Sequence, residues 1–259
     1  MGKKLLFLEG SALAVLLALG AWMGLGGKPG VPVRLASSPS ALRADLPSSF
    51  TLATYNVNHG GGNLGAVIGN LARENPDFAL LQEVDRYLPR SGWRDQVRHL
   101  ARDLGREAYF LPTLRRGAGN YGMVFLGRRG WMGEPKALRL PGEGEPRFAL
   151  LVEMETPWGR LLLGNVHLSV DREERARQIL LLGRHLPAGG PVILGGDWNT
   201  PSGAREMEPL RRLLPGVAFE GGDGFLYRGM KLVSLRVLPG WPSDHPLLFA
   251  RFAFPLTRL

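Results

Sequence analysis

The sequence contains no cysteine among its 259 residues. Disulfide bonds and thiolate metal sites are therefore excluded, so any metal ion must be held by oxygen or imidazole ligands. No internal repeat is visible. Hydrophobic residues make up 44% of the chain and charged residues 21%, values close to those of folded soluble proteins. Length and composition together predict one folded domain with a sizeable core, preceded by an N-terminal extension.

Acidic residues are fewer than basic ones. The chain has 23 Asp and Glu against 32 Lys and Arg, which gives a formal net charge of +9. A protein with this charge attracts polyanions such as nucleic acid or anionic lipid head groups. Because the basic residues are spread along the chain and form no single long run, a generally arginine-rich surface remains an equally open interpretation.

A long apolar run occurs at the N-terminus, where Lys3 and Lys4 precede residues 5–25. A positive segment followed by an apolar one is typical of a secretory signal, and the run approaches the roughly 20 residues that span a bilayer. Cleavage and anchoring both stay open. We expect residues 1–25 to be a signal peptide or membrane anchor, residues 26–49 a flexible linker, and residues 50–259 a domain that is secreted, periplasmic or anchored outside the cytoplasm.

From residue 50 onward, strand-like and helix-like stretches alternate. Apolar runs and period-2 patterns predict strands, and apolar residues at helical spacing predict helices. Strands are predicted at 51–57, 78–82, 108–112, 121–126, 148–155, 161–168, 191–195, 232–238 and 247–254, and helices at 64–71, 94–104, 171–186 and 205–214. This order predicts an α/β (α+β) fold with two packed mixed β-sheets flanked by helices.

Polar side chains cluster where the predicted strands end. They are Asn56 and Asn58 after the first strand, Glu83 after the second, His167 before the third helix, Asp197 and Asn199 after strand 191–195, and Asp244 and His245 before the last strand. Because strand ends that meet at one sheet edge form a common ligand crevice, we expect these side chains to lie close together.

Each of these residues also has an ordinary interpretation. Asn56 and Asn58 are typical turn residues before a glycine run. His167 and His245 could be structural histidines, and Asp223 lies in a Gly-rich stretch that favours a turn. The whole set is far harder to explain in this way than any single member.

Five ordered segments have sequences that are distinctive together. They are TYNVN at 54–58, LLQEVD at 80–85, GNVHL at 164–168, GGDWNTP at 195–201 and SDHP at 243–246. They resemble the successive motifs of the endonuclease/exonuclease/phosphatase superfamily, which includes deoxyribonuclease I, abasic-site endonucleases, neutral sphingomyelinases and inositol-polyphosphate phosphatases. The resemblance covers about residues 50–254 and implies a four-layer α/β sandwich. Residues 84–96 are similar to a bacterial branch of metal-dependent hydrolases.

The resemblance implies a divalent-metal site. Phosphate esters repel nucleophiles, so their hydrolysis needs a cation, a base and an acid. By resemblance Glu83 is the principal ligand of Mg²⁺ or Mn²⁺, with Asn56 or Asn58 nearby and Asp244 completing the site; oxygen ligands suit both metals. Whether one or two metals act is left open.

The resemblance also implies catalytic roles. Asp197 would orient or deprotonate the attacking water, and Asn199 would donate a hydrogen bond to a phosphoryl oxygen. If strand geometry persists to Asn199, the two side chains project to the same side. His245 would contact the phosphate, with Asp223 fixing its ring, and His167 would hydrogen-bond a phosphate oxygen or protonate the leaving group.

One segment departs from the family pattern. The family has a strand of the type Ile-Asp-Tyr-Ile-Phe before its last motif, where this chain has residues 222–229. Asp223 falls at the expected aspartate, but its neighbours differ. Further candidates for substrate contacts are Arg147, just before a strand, and Asn120 and Tyr121 in a turn.

The expected activity is that of an exported, metal-dependent phosphoesterase, of nuclease type on DNA or RNA because the chain is basic. A phospholipid head-group phosphodiesterase or phosphatase is the alternative, favoured by a membrane anchor. A non-catalytic module of the same fold is a third possibility, which the intact set of polar residues disfavours. We expect a monomer.

Overall fold

A computed structural model of the protein describes residues 28–35 and 47–255. The predicted signal or anchor at residues 1–25 lies outside the described residues. None of the described helices combines the length and apolar character needed to cross a membrane. The linker prediction is wrong for Val33–Leu35, because these residues form a strand that pairs with Ala108–Phe110.

Thirteen strands and four α-helices form the described part of the chain. The strands are β1 (Val33–Leu35), β2 (Ser49–Asn56), β3 (Phe78–Arg86), β4 (Glu107–Arg116), β5 (Gly119–Gly127), β6 (Pro135–Leu140), β7 (Arg147–Thr156), β8 (Gly159–His167), β9 (Val192–Asp197), β10 (Gly216–Glu220), β11 (Asp223–Arg228), β12 (Lys231–Leu238) and β13 (Leu247–Ala253). The helices are α1 (Leu64–Glu74), α2 (Gln96–Asp103), α3 (Arg172–Arg184) and α4 (Glu208–Leu213).

The strands form two mixed sheets. The seven-stranded sheet has the order β1-β4-β5-β3-β2-β13-β12, and the six-stranded sheet has the order β10-β11-β9-β8-β7-β6. The pairs β2–β3 and β8–β9 are parallel, and the other pairs are antiparallel. The predicted fold class, two packed mixed sheets flanked by helices, is confirmed.

Three apolar layers hold the sheets and helices together. The layer between the sheets is rich in phenylalanine, including the edge-to-face pairs Phe78–Phe125 and Phe225–Phe252. Helices α1 and α2 cover the outer face of the larger sheet, and α3 and α4 cover that of the smaller sheet. Each buried phenylalanine contributes on the order of 1.5–3 kcal/mol, so this stacking fixes the four-layer arrangement.

A buried amide pair joins the two sheets beside the polar strand ends. Gln82 on β3 donates from Nε2 to Oδ1 of Asn165 on β8, at 2.7 Å. Asn165 in turn donates from Nδ2 to the carbonyl oxygens of Leu81 and Val124, both at 2.9 Å. Since an unsatisfied buried amide costs about 1–3 kcal/mol, these bonds fix β8 against β3 and β5 near the ends that carry the candidate site residues.

The sequence pattern failed to predict strands β6, β10 and β11. The glycines around Asp223 favour a turn, whereas the family pattern has a strand at residues 222–229, and the segment that begins at Asp223 is a strand paired with β9. Gly224 is present because of close packing: a Cβ atom there would lie 2.5 Å from the Phe219 ring. Glycine in a strand interior often marks such a close approach, and here it obscures the strand pattern.

Candidate active site

Three neighbouring strands of the smaller sheet bring three predicted residues side by side. His167 ends β8 and Asp197 ends β9, and the two are register partners in the parallel pair. Asp223 begins β11 and is the antiparallel partner of Asp197. The expectation that strand ends gather these side chains therefore agrees with the topology.

The Gly195-Gly196-Asp197-Trp198 segment is shaped to place Asp197. A Cβ atom on Gly196 would lie 1.9 Å from the carbonyl oxygen of Val166, so only glycine allows β9 to approach β8 so closely. Trp198 is fully buried. Its Nε1 donates to the Gly224 carbonyl at 3.0 Å, which anchors the end of β9 to β11.

Asp197 is the centre of the site. Its Oδ2 accepts a hydrogen bond from Nδ2 of Asn56 at 3.0 Å, and the Nε2 atoms of His167 and His245 lie 3.5 and 4.0 Å from that oxygen. Burial, and then the negative charge of Asp223, raise the pKa of Asp197 above its ordinary value. A carboxylate with raised proton affinity is suited to accept a proton from water.

His245 and Asp223 form a hydrogen-bonded pair. The distance from Nδ1 of His245 to Oδ2 of Asp223 is 2.8 Å. This hydrogen bond is the main cause that raises the pKa of His245 to about 9, whereas burial raises the pKa of Asp223. We therefore describe the pair at neutral pH as an imidazolium beside a carboxylate, with the protonated Nε2 directed towards Asp197.

Ser243 fixes the loop that carries His245. Its hydroxyl donates to the backbone carbonyl of Asn56 at 2.7 Å and accepts from the backbone N–H of His245 at 3.1 Å. Tyr55 adds a hydrogen bond from its hydroxyl to the Gly240 carbonyl. The loop between β12 and β13 is thus attached to the end of β2.

Arg147 lies closer to the reaction centre than its sequence position suggests. Its Nη1 lies 2.7 Å from Nε2 of His167. Because a guanidinium can only donate, this nitrogen of His167 must accept. The ring is therefore neutral, in agreement with the pKa of His167, which burial and then the charge of Arg147 hold well below the usual value.

This contact bears on one of the two roles predicted for His167, protonation of the leaving group; the other, a hydrogen bond to a phosphate oxygen, stays a prediction. A neutral ring whose Nε2 accepts from Arg147 has no proton on that atom to give to a leaving group. Its surroundings instead favour a role in holding Arg147, whose Nη1 also lies 3.3 Å from Oε1 of Glu145.

Glu83 occupies a distorted position within β3, and not at its end as predicted. The pairing of β3 with β5 shifts register between Leu81 and Val84, and Glu83 has a φ of 60°. Its Oε1 accepts from Nδ2 of Asn56 at 3.1 Å, and Oε2 lies 3.4 Å from Nε2 of His59. Left-handed backbone at a residue other than glycine costs about 1–3 kcal/mol and is concentrated at functional sites.

The predicted metal ligands fall into two groups. Asn56 uses its Nδ2 to bridge Glu83 and Asp197, and its Oδ1 accepts from the Asn58 backbone, so it presents a donor to the carboxylates where a ligand oxygen was predicted. Asn58 donates to Oδ1 of Asp244 at 2.9 Å on the exposed rim. Glu83 is linked instead to Asp197, through Nδ2 of Asn56.

The donor set in the crevice fits a hard divalent cation. One side-chain atom each of Asp197, Asp223 and His245 lies within 4.8 Å of the other two; because the His245 imidazolium has no free lone pair, the oxygen donors of this group are those of Asp197 and Asp223. Among the described residues, Oδ1 of Asp223 is buried and has no hydrogen-bond partner. With Glu83 nearby, the site gathers three carboxylates, whose mutual repulsion a cation bound by oxygen ligands would relieve.

Strand geometry does not persist to Asn199, so the alternation of side chains along a strand does not apply to it. Strand β9 ends at Asp197, and Asn199 has a φ of 52°. Its Nδ2 donates to the Leu168 carbonyl at 2.9 Å, and its backbone N–H donates to Oδ1 of Asp197 at 2.9 Å. Asn199 nevertheless lines the same crevice as Asp197, a cleft of about 950 Å³, because the backbone turns there.

Asn120 and Tyr121 are buried in β5 and do not form an exposed turn. Tyr121 reaches the edge of the site, where its ring centroid lies 5.5 Å from that of His59. Burial, and then the charge of Glu83, raise the pKa of Tyr121, so the phenol stays neutral.

Sequence reasoning missed His59, Asp85 and Arg90. His59 directly follows the TYNVN motif, and its position next to Asn58 was the available signal. Asp85 and Arg90 lie in the segment 84–96, where the similarity to bacterial hydrolases was noted. Their meeting in space, with Nε of Arg90 2.8 Å from Oδ2 of Asp85, leaves no sequence signature.

Fold and site are those of a phosphoesterase of the two-sheet sandwich class. Residues 53–245 match the model of the Endonuclease/Exonuclease/phosphatase family, and the chain belongs to this family. Its members hydrolyse phosphoester bonds and generally use divalent metal ions, so the chain is a phosphoester hydrolase. The resemblance of the sequence motifs is confirmed.

Solved structures with the same fold come from bacteria and animals. An endonuclease/exonuclease/phosphatase from Beutenbergia cavernae DSM 12333 has 19% identity and a TM-score of 0.66, covering 80% of this chain and 72% of that one. The catalytic domain of human nocturnin with bound sulfate has 19% identity and a TM-score of 0.63, with coverage of 82% and 97%. A humanised D. rerio TDP2 has 19% identity and a TM-score of 0.62, with coverage of 80% and 99%. At such identities the likeness shows the fold alone. No curated protein is significantly similar to this chain in sequence.

Proposed function

We propose that the protein is an exported, Mg²⁺- or Mn²⁺-dependent phosphodiesterase of nuclease type that cleaves DNA or RNA. The observation that carries the proposal is the convergence on Oδ2 of Asp197 of one amide and two imidazoles, from Asn56, His167 and His245. A buried carboxylate that accepts from the Asn56 amide and faces the His245 imidazolium, next to the Arg147–His167 pair, is suited to activating water beside an anionic substrate.

In this mechanism Asp197 orients the attacking water and takes its proton. His245, held as a cation by Asp223, stabilises the negative charge that grows on the phosphoryl oxygens. Arg147, fixed by His167, supplies a second positive charge. Glu83 would hold the divalent ion, which when bound neutralises the phosphate and polarises it for attack.

The net charge of +9 supports a polyanionic substrate. Phospholipid head groups are the second candidate, and exposed apolar side chains on loops at the site edge favour them. Trp93 is 53% exposed, Val170 follows β8 and is 74% exposed, and Trp241 precedes His245 in the β12–β13 loop and is 65% exposed. Such side chains bind either unstacked bases or the surface of a bilayer.

A substrate screen separates these candidates. We expect the protein with Mg²⁺ to cleave plasmid DNA or single-stranded RNA faster than it releases the head group from sphingomyelin vesicles, because the site favours a polyanion. Each substrate is measured with Mg²⁺ and with EDTA. Turnover of vesicles alone would reject the nuclease assignment in favour of the lipid one.

The location of the protein is a separate proposal that rests on Lys3, Lys4 and the apolar run at residues 5–25. The full-length chain is expected in the exported or membrane fraction of its host. A chain that starts at residue 28 is expected to stay in the cytosol, since it lacks that run. Finding the intact full-length protein only in the cytosol would contradict export.

A further inference from the structure

Hydrogen bonds fix the loop between β3 and α2, residues 87–95, beside the active site. Nε and Nη2 of Arg86 donate to the Asp95 carboxylate at 2.9 and 2.6 Å, and both side chains are buried. Tyr87 donates to the same carboxylate at 3.0 Å. Gln96 links the loop to the end of β2 by donating to the His59 carbonyl at 2.7 Å.

A cavity of about 240 Å³ lies between this loop and residues 59–64. It is smaller than the pockets that hold drug-sized ligands, which start at about 300 Å³. Its polar lining consists mainly of His59, Arg90, Ser91, Arg94 and Gln96. A cavity of this size and lining suits one small polar group.

The charges that face the cavity favour an anion. Arg90 is fixed by two hydrogen bonds to Asp85, at 2.8 and 2.7 Å, which use Nε and Nη2 and leave Nη1 out of the pair. Its guanidinium lies 5.4 Å from the Tyr121 ring centroid. The negative charge of Asp85 is therefore balanced by the positive charge of Arg90. Arg94 is exposed and forms no salt bridge with the described residues.

His59 separates this cavity from the reaction centre. Its Nε2 lies 3.4 Å from Oε2 of Glu83. Its Nδ1 is buried, has no hydrogen-bond partner among the described residues, and lies 3.9 Å from Oδ1 of Asp85. One imidazole ring thus touches the proposed metal ligand and also lines the cavity. A group in the cavity would therefore be separated from Glu83 by the His59 ring.

We propose that this cavity is a second phosphate subsite, which binds the phosphate next to the one being cleaved. This proposal rests on the proposed phosphodiesterase function. It narrows the substrate to a nucleic-acid strand, in which one phosphate follows another. Arg94 and Nη1 of Arg90 supply the charge-assisted hydrogen bonds that a phosphate dianion or a backbone diester accepts. An isolated diester has no group to place there.

Short oligonucleotides test the subsite. The kcat/KM of full-length protein with Mg²⁺ is compared for thymidylyl-thymidine and the same dinucleotide with a 5′ or a 3′ terminal phosphate. One terminal phosphate is expected to raise kcat/KM about tenfold, as one charge-assisted contact allows, and Arg94→Gln is expected to remove that gain. Arg94→Lys should restore part of it, and Arg98→Gln, an equal charge change outside the cavity, should leave it intact.

A binding measurement separates this proposal from the proposed function. In Ca²⁺ without turnover, thymidine 3′,5′-bisphosphate is expected to bind about tenfold more tightly than thymidine 5′-phosphate, a preference that Arg94→Gln abolishes. If dinucleotides are cleaved but neither the terminal phosphate nor Arg94→Gln changes kcat/KM, the subsite is refuted and the nuclease assignment stands. If no nucleotide is cleaved but the bisphosphate preference depends on Arg94, the subsite stands and the nuclease assignment fails. If the second phosphate tightens binding only for inositol 1,4-bisphosphate over inositol 1-phosphate, and not for the thymidine compounds, the ligand of the cavity is not a nucleic-acid strand and the proposal is overturned.

Discussion

Asp197→Asn is expected to lower turnover by a factor of about 10² to 10³, because it removes the group that takes the proton of the attacking water. The substitution keeps the shape of the side chain. It also keeps an oxygen that can accept from the backbone N–H of Asn199, a contact of 2.9 Å in the native protein. The loss should therefore appear in kcat, measured under saturating substrate and metal.

Stability is the control for this variant. Asp197 lines the crevice, but only 2% of the residue is exposed. The raised pKa of Asp197 means that the ionised carboxylate costs folding free energy at neutral pH, and a neutral amide removes this cost. The new NH2 group faces the Nδ2 donor of Asn56, from which Oδ2 accepts in the native protein, so the melting temperature is measured to show that the variant is folded. Asp103→Asn, on the exposed end of α2, is the matched change away from the site. A folded Asp197→Asn enzyme with most of its turnover would remove Asp197 from the role of base.

His245→Ala is expected to reduce turnover by a factor on the order of 10², since the imidazolium no longer stabilises the phosphoryl charge. Combined with Asp197→Asn, it should be little worse than the poorer single variant, because residues that act as one unit lose most of their benefit at the first removal. The measurement is a double-mutant cycle on kcat. Fully multiplicative losses would show that the two residues act independently.

The alanine variant leaves Asp223 buried without its 2.8 Å partner, so its melting temperature is expected to fall. His245→Gln is the control, because an amide can still donate to Asp223 but carries no positive charge. If His245→Gln folds like the native protein and is as inactive as His245→Ala, the missing cation explains the loss. Native turnover in His245→Gln would refute the charge-stabilising role.

The sequence pattern predicted which residues lie close together, because the ends of neighbouring strands lie at one edge of the sheet regardless of side-chain conformation. His167 and Asp197 illustrate this, as they are register partners on adjacent strands, whereas Asp223 was assigned to the site by the family resemblance. The strand that begins at Asp223 was nonetheless missed, since Gly224 reflects packing against Phe219 and reads in the sequence as a turn signal.

The geometry at the reaction centre could not be predicted in the same way. The left-handed backbone of Glu83 and the register shift beside it depend on how β3 pairs with β5. The contact of Arg147 with His167 depends on side-chain rotamers in two paired strands. Strain and rotamers of this kind result from the surrounding structure, and local propensity does not encode them.

The central claim is that this site hydrolyses a phosphodiester with a divalent ion held at Glu83. The most direct measurement is a Mg²⁺ titration of bis(4-nitrophenyl) phosphate hydrolysis by the native enzyme and by Glu83→Gln, after removal of metal with EDTA. We expect no activity in EDTA, full recovery with Mg²⁺, and a Mg²⁺ requirement raised at least about tenfold in Glu83→Gln, because a neutral amide replaces the charged ligand. Glu153→Gln, outside the site, should titrate like the native enzyme. Undiminished activity in EDTA, or identical titrations for the native enzyme and Glu83→Gln, would contradict the claim.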